Sequence, residues 1–326
     1  MSSLFSLREA TAPDVAVEIA SGRVSAAAVE GAARRGQATV TAHASEPLPP
    51  TALVPSLTTI NTHDRAVVVG ALTRVLDRVG GPRRVGLVVP DVIAKVSLVR
   101  FENVPARAAD LDQLIRWQVR KSAPFPIEDA QVSYVRGVRA DDGQEFVVSL
   151  ARRSVVEEYE ALCAEAGAQA GIVDLSTFNV INAVLAGSGA PQGDWLLVNV
   201  ATDYASIAIL RGPSLIFFRN RSADTEGTLA DLVHQTAMYY EDRLHGGGFT
   251  RVVLAGAGTA GADPRIAPTD DIDQVRRTLQ DRLPTPVDTI DPRTAAALTD
   301  RISAAPALLD TLAPLVGLLL RDSVPA

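Results

Sequence analysis

The stretch Leu111–Tyr134, LDQLIRWQVRKSAPFPIEDAQVSY, reads as a helix, a proline-rich turn and a strand. Leu111, Leu114, Ile115 and Val119 recur at helical spacing and form one apolar stripe. Pro124 and Pro126 end the helix and force an extended segment, with Phe125 between them. Trp117 lies off the stripe, roughly a third of a turn away at about 100° per residue. Either a second surface contacts this aromatic, or another element of the same chain covers it.

The chain around this stretch has 326 residues, which suggests about two domains, and 47% of them are hydrophobic, enough for sizeable cores. The net charge of -7 argues against nucleic acid as the main partner. A single cysteine, Cys163, excludes an internal disulfide and any multi-cysteine metal site, and its helical context makes it a small core residue. His43, His63, His234 and His245 show no metal-ligand spacing. The N-terminus MSSLFSLREATAPD has neither the basic start nor the apolar core of a signal peptide. No apolar run reaches the roughly 18–20 residues of a membrane span. The nearest, Leu308–Leu320, contains Asp310 and Pro314. The expectation is a cytoplasmic protein that reaches a membrane only by binding something else.

In chain order, Asp14–Ala20 and Val24–Val29 read as strands about the turn Ser21-Gly22-Arg23, and Thr39–Ala42 adds a third. A proline-rich loop over Glu46–Ser56, a helix over His63–Val79 and an apolar strand Val85–Val89 follow, the order of an α/β layer fold. Next comes a unit that looks inserted. It holds strand Val96–Phe101, helix Arg107–Ser122, a hairpin of Gln131–Val138 with Glu145–Leu150, a helix opened by the capping box Ser154-Val155-Val156-Glu157, and strand Gly171–Leu175. Helix Ser176–Ala186 and a linker over 188–193 lead to strands Trp195–Val200, Tyr204–Leu210 and Ser214–Arg219. Helix Gly227–Leu244, strand Arg251–Leu254 ending in AGAG, helix Asp271–Leu283, strand Val287–Ile290 and helix Pro306–Leu320 complete the chain. His245-Gly246-Gly247-Gly248 reads as a helix stop, and Thr269-Asp270-Asp271 as a helix N-cap.

An internal repeat is present. VEIASGRVSAAA (Val17–Ala28) aligns without gaps to VNVATDYASIAI (Val198–Ile209), each a strand, a short turn and a strand, about 180 residues apart. Two similar α/β halves follow from it.

The segment IRWQVRKSAPFPIEDAQVSYV resembles the signature of the PilM family of type IV pilus assembly, where a helix with an Arg-Trp pair leads into a Pro-Phe turn and a strand. The cytoplasmic part of the GspL component of type II secretion and FtsA are more distant relatives. The resemblance runs over nearly the whole chain. It implies an α/β, actin-like (ribonuclease H-like, duplicated) two-lobed fold with an inserted α+β subdomain. The first core subdomain would span 1–90, completed by 175–190 and 305–326. The insertion would span 91–174 and the second lobe 191–304. It also implies a scaffold that binds the cytoplasmic N-terminal peptide of a PilN-like inner-membrane protein, alongside other pilus or secretion components, at the inner face of the inner membrane. In that family the groove lies between the first core subdomain and the insertion, here near Val85–Pro90, helix Leu111–Lys121 and the following turn. Arg116, Trp117 and Phe125 are its expected partner-binding residues.

An actin-like ATPase holds phosphates on backbone N–H groups of two hairpin turns and needs an acid in each hairpin for Mg²⁺ and the attacking water. PilM-like hairpins resemble DIGSSSVK and DIG. Here they read Glu18-Ile19-Ala20-Ser21-Gly22-Arg23-Val24-Ser25 and Asn199-Val200-Ala201. The first acid is one methylene longer, the second is neutral, both close-approach glycines are alanines, and Ser25 stands where a lysine is expected. Asp203 is displaced from the Asn199 position. Two readings stand side by side. A nucleotide still binds through Glu18, Ser21, Gly22, Arg23, Asn199, Thr202 and the loop Gly256 to Gly258, or these are ordinary turns in a fold that has lost its ligand. The departures favour no resident cofactor, with ATP/Mg²⁺ as the exception to test, and no hydrolysis. A GspL-like role and an active ATPase are the alternatives. GspL carries a membrane span after its cytoplasmic domain, and this chain ends at Ala326 without one.

Overall fold

The computed structural model describes residues 13–31, 38–189, 191–223, 227–259, 271–300 and 302–324. The N-terminal stretch, residue 190 of the expected linker, and Thr269 and Asp270 lie outside them. The repeat is visible in the sheets. Strands β1 (Val15–Ala20), β2 (Arg23–Glu30), β3 (Thr39–Pro47), β4 (Arg84–Val89) and β8 (Gln169–Leu175) pair in the order β3-β2-β1-β4-β8. Strands β9 (Asp194–Val200), β10 (Tyr204–Arg211), β11 (Ser214–Ser222), β12 (Arg251–Ala255) and β13 (Val287–Thr289) pair as β11-β10-β9-β12-β13. In both sheets the first two pairings are antiparallel and the last two parallel. Registers match too: Glu18 faces Ser25 as Asn199 faces Ser206. The central strands are covered on both faces, which is why they read as nearly continuous apolar runs.

Helices α1 (Arg65–Arg78) and α3 (Arg153–Glu165) supply the outer cover of the first sheet, through Val68, Leu72, Val75, Tyr159 and Leu162. Helices α5 (Leu229–Leu244) and α6 (Ile272–Gln280) do so for the second, through Leu232, Val233, Val275 and Leu279. Between the sheets run α4 (Ser176–Ser188) and α7 (Pro306–Leu319), which pack on each other. Helix α4 leaves the first sheet after β8, yet its Val180, Ile181, Val184 and Leu185 pack on Trp195, Leu197 and Val253 of the second. Helix α7 packs its Leu312, Leu315, Val316 and Leu319 on Ala16, Ala27 and Val88 of the first. The crossed helices join the two lobes. Their approach is close: a Cβ on Gly317 of α7 would run into the carbonyl of Asn179 on α4 and stand 2.9 Å from the Ala183 nitrogen.

A separate three-stranded sheet, ordered β5-β7-β6, is built from β5 (Ala94–Phe101), β6 (Ala130–Ala140) and β7 (Gly143–Arg152). Helix α2 (Ala108–Arg120) lies on one face, with Leu111, Ile115 and Val119 buried against Val132, Phe146 and Val148. On the other face Val96, Leu98 and Val147 pack with Phe178 and Phe218 of the main body. The insertion is therefore smaller than expected. The expected unit ran to 174, but β8 pairs with β4 in the first sheet and α3 packs in the first core, leaving 94–152 as the separate unit. The short β14 (Ala297–Leu298) pairs with β3, so a segment assigned to the second lobe extends the first sheet.

The capping box at Ser154 does not form. Strand β7 runs straight into α3, which starts at Arg153 without a side-chain cap, so Ser154 lies inside the first turn. A capping box does open α5, where Thr228 and Asp231 cap each other's backbone N–H. His245 closes that helix in the left-handed conformation, as a helix stop requires. Asp271 caps α6 by accepting from the Asp273 N–H. Cys163 is buried in the first core, and burial pushes its thiol up to about 12.

Candidate functional site

The two repeated hairpin turns meet face to face between the lobes. Ser21 Oγ of the first donates to Asp203 Oδ2 of the second at 2.8 Å. A Cβ on Gly22 would lie 3.3 Å from Thr202 Oγ1, so the turns are already in contact. Arg23 Nη2 donates to Glu18 Oε2 at 2.8 Å, which closes the first hairpin on itself. Glu18 also accepts from Ser176 Oγ at 3.3 Å. Asn199 donates through Nδ2 to Thr177 Oγ1 at 2.9 Å, while its Oδ1 lies near Gly256. Gly256, at φ 78°, could not carry a side chain, because a Cβ there would run into the carbonyl of Val200. The eight residues singled out for a nucleotide thus gather at one cleft.

Five residues that the sequence reading did not assign complete the cleft: Asp91, Thr177, Tyr204, Ser206 and Asp310. Asp91, directly after β4, is fully buried. Its carboxylate accepts from Thr177 N–H at 3.0 Å, from Thr177 Oγ1, and from Ser206 Oγ at 2.6 Å, and its own N–H donates to Tyr204 Oη at 3.1 Å. Residues of both lobes therefore converge on one carboxylate. Burial pushes its pKa above the usual carboxylate range, against the pull of the Ser206 and Thr177 hydroxyls. The fifth is Asp310 on α7, only 4% exposed, which accepts the Gly258 N–H at 2.6 Å. Burial pushes its carboxyl up to about 6, while the Gly258 and Gly256 N–H groups and the Arg23 charge pull it down. The available signal was a lone carboxylate in the apolar run Leu308–Leu320.

These residues do not fit Mg²⁺–ATP. Glu18 is committed to Arg23, and Asn199 turns an amide N–H toward its neighbour where an acid would hold metal-bound water. The phosphate-side turns touch, and the Gly258 N–H already has an anionic acceptor. Among the described residues no group of His, Cys, Asp and Glu is arranged to hold a metal ion. Arg23 Nε is buried and, among the described residues, has no acceptor.

Arg116, Trp117 and Phe125 lie elsewhere, on the inserted unit. Trp117 stands on the outer side of α2 with 65% of its surface exposed, and among the described residues no other element covers it. Arg116 beside it pairs with Asp112 at 2.8 Å, one helical turn away. Phe125 is half-buried against the unit's own core. The expected groove wall at Val85–Pro90 is corrected: these residues are buried in the middle of the first sheet. The insertion's own sheet stands between α2 and the main body. Among the described residues no helix is long and apolar enough to cross a membrane.

The family model of type IV pilus assembly protein PilM matches residues 16–242. No curated protein matches the sequence. Among solved structures, a chain of a PilM-PilN type IV pilus biogenesis complex superposes with a TM-score of 0.77 at 16% identity, covering 96% of this chain and 100% of that one. A Bacteroides thetaiotaomicron protein with an actin-like ATPase fold superposes at 0.51 with 9% identity, covering 85% and 90%. The cytoplasmic domain of EpsL, an inner membrane component of the type II secretion system of Vibrio cholerae, reaches 0.46 at 11% identity, covering 74% and 80%. The fold is thus the actin-like ATPase fold, duplicated and carrying an inserted unit. With more than two thirds of its length matched, the chain belongs to the PilM family of type IV pilus assembly proteins.

Proposed function

We propose that this protein is a scaffold of a type IV pilus or related secretion machine, and that it binds the cytoplasmic N-terminal peptide of a PilN-like inner-membrane protein. The observation that carries the reading is Trp117. A tryptophan 65% exposed, on a helix whose opposite face is fully buried, is a rigid apolar anchor offered to a partner. Arg116 beside it adds a polar contact, and Phe125 fixes the turn that follows the helix. A fold shared with a chain solved in a PilM-PilN complex supports the choice of partner. Recruitment to the inner face of the inner membrane then comes from the partner, since no described helix crosses a bilayer.

The reading includes a degenerate nucleotide site without hydrolysis, supported by the Glu18–Arg23 pair and the neutral Asn199. The test is a titration of the full chain into a fluorescently labelled N-terminal peptide of a PilN-like protein, read by anisotropy. Wild type binds saturably, and Trp117→Ala weakens binding by at least about tenfold, the loss of a typical hot-spot aromatic. Unchanged affinity in Trp117→Ala removes α2 as the docking face. No binding by wild type removes the partner.

A further inference from the structure

Three cleft donors that would face a phosphate are held by carboxylates of the chain itself. Ser21 has Asp203, Arg23 Nη2 has Glu18, and Gly258 N–H has Asp310. The third contact is the telling one. Asp310 comes from the last helix, far from the loop in sequence, and is buried with its Oδ2 2.6 Å from the Gly258 nitrogen. A Cβ on Gly258 would stand 2.8 Å from that oxygen, so the loop and the carboxylate fit only because residue 258 is glycine. A loop that offers backbone N–H groups beside an arginine is an anion site by construction. Here the anion is part of the protein.

The geometry points to a self-occupied anion site: the Asp310 carboxylate sits on the Gly256–Gly258 loop in the place of a ligand phosphate, so the wild-type cleft excludes polyphosphate. This rests on the degenerate-site reading above and adds the residue responsible. The chain has not merely lost groups that hold a triphosphate. It carries a replacement, and the Ser21–Asp203 contact then closes the lobes without a ligand. Removing the carboxylate frees the Gly258 N–H and leaves Arg23, whose buried Nε has no acceptor among the described residues, facing the vacated space.

The experiment is calorimetric titration of full-length wild type, Asp310→Ala and Asp310→Ala/Arg23→Gln with sodium tripolyphosphate, and separately with Mg²⁺–ATP. Wild type is expected to show no saturable heat at millimolar ligand. Asp310→Ala is expected to bind tripolyphosphate at least tenfold more tightly than wild type, and the double variant to lose that gain. Should Asp310→Ala fail to fold, Asp310→Asn keeps the side-chain shape, removes the charge and is expected to show the same gain. A folded Asp310 variant that takes no more tripolyphosphate than wild type overturns the inference and leaves the degenerate-site reading standing. Wild type that binds Mg²⁺–ATP saturably overturns the degenerate-site reading itself.

Discussion

Gly317→Ala should destabilise this protein, against the usual rule for a helical glycine. Gly317 lies inside α7, where alanine normally gains about 1 kcal/mol of helix propensity over glycine. At this position a Cβ would overlap the carbonyl oxygen of Asn179 on α4 and stand 2.9 Å from the Ala183 nitrogen. Real Cβ atoms essentially never come that close, and the obstacle is backbone, which cannot rotate away. The two helices would have to separate while packed between two sheets, a strain of about 1–3 kcal/mol or more by the measure of overpacked cores. The clash outweighs the propensity gain, and a net loss of about 2 kcal/mol is expected. Gly70 on α1 supplies the opposite case, because a Cβ there meets nothing nearer than Arg74 Nη1 at 3.4 Å. Gly70→Ala should stabilise by about 0.5–1 kcal/mol. With an unfolding entropy on the order of 0.7 kcal/mol/K for a chain this long, the pair should split by about 4 °C in Tm, and denaturant titration gives the free energies directly. If Gly317→Ala proves as stable as wild type, the close crossing of α4 and α7 is wrong, and with it the relative placement of the two hairpin turns.

Titration offers a second check. The raised pKa of Asp310, about 6 against about 3.8 unfolded, means that the native state binds its proton more tightly. The contribution of this group to stability is therefore greatest below about pH 4 and falls as pH rises to about 6, by on the order of 3 kcal/mol at most. Asp310→Asn should remove that decline, so its stability relative to wild type rises between pH 4 and 6 in denaturant titrations; parallel curves would refute the burial of a charged carboxylate here. Asp194 works in the opposite sense, since Arg211 holds its pKa low, so its ion pair stabilises at neutral pH and is lost on acidification. Arg211→Met should therefore cost stability at pH 7 and little at pH 3. Asn61, fully buried, ties down the loop before α1 through Ser56, Thr59 and Tyr159, and Glu158 holds the Asn61 and Thr62 N–H groups. Asn61→Ala leaves the Ser56 and Thr59 backbone groups and Tyr159 Oη unmatched and should cost about 2–4 kcal/mol, with faster proteolysis between residues 54 and 60 as the local readout.

The duplicated sheets were legible because strands covered on both faces carry apolar runs, and because Glu18 and Asn199 hold the same register in each copy. The α2 stripe and the off-stripe position of Trp117 were legible for a similar reason, since helical spacing fixes which side chains share a face, whereas its exposure was decided by the fold. Nothing in the sequence showed that β8 returns to the first sheet, since an insertion's end is set by long-range pairing and not by local pattern. The same limit hid the cleft's carboxylates. Asp91 and Asp310 are far from the hairpins in sequence, and only the fold brings them to Thr177 and Gly258. The capping box at Ser154 failed because a strand already occupied the position where a cap would sit, while Thr228 and Asp231, a true box, used aspartate in place of the usual glutamate.

The most direct test is the affinity of the full chain for the PilN-like N-terminal peptide, measured with and without Mg²⁺–ATP. A scaffold whose cleft is closed by its own side chains binds the peptide equally well in both. Binding that requires Mg²⁺–ATP, or that tightens tenfold with it, would contradict the account.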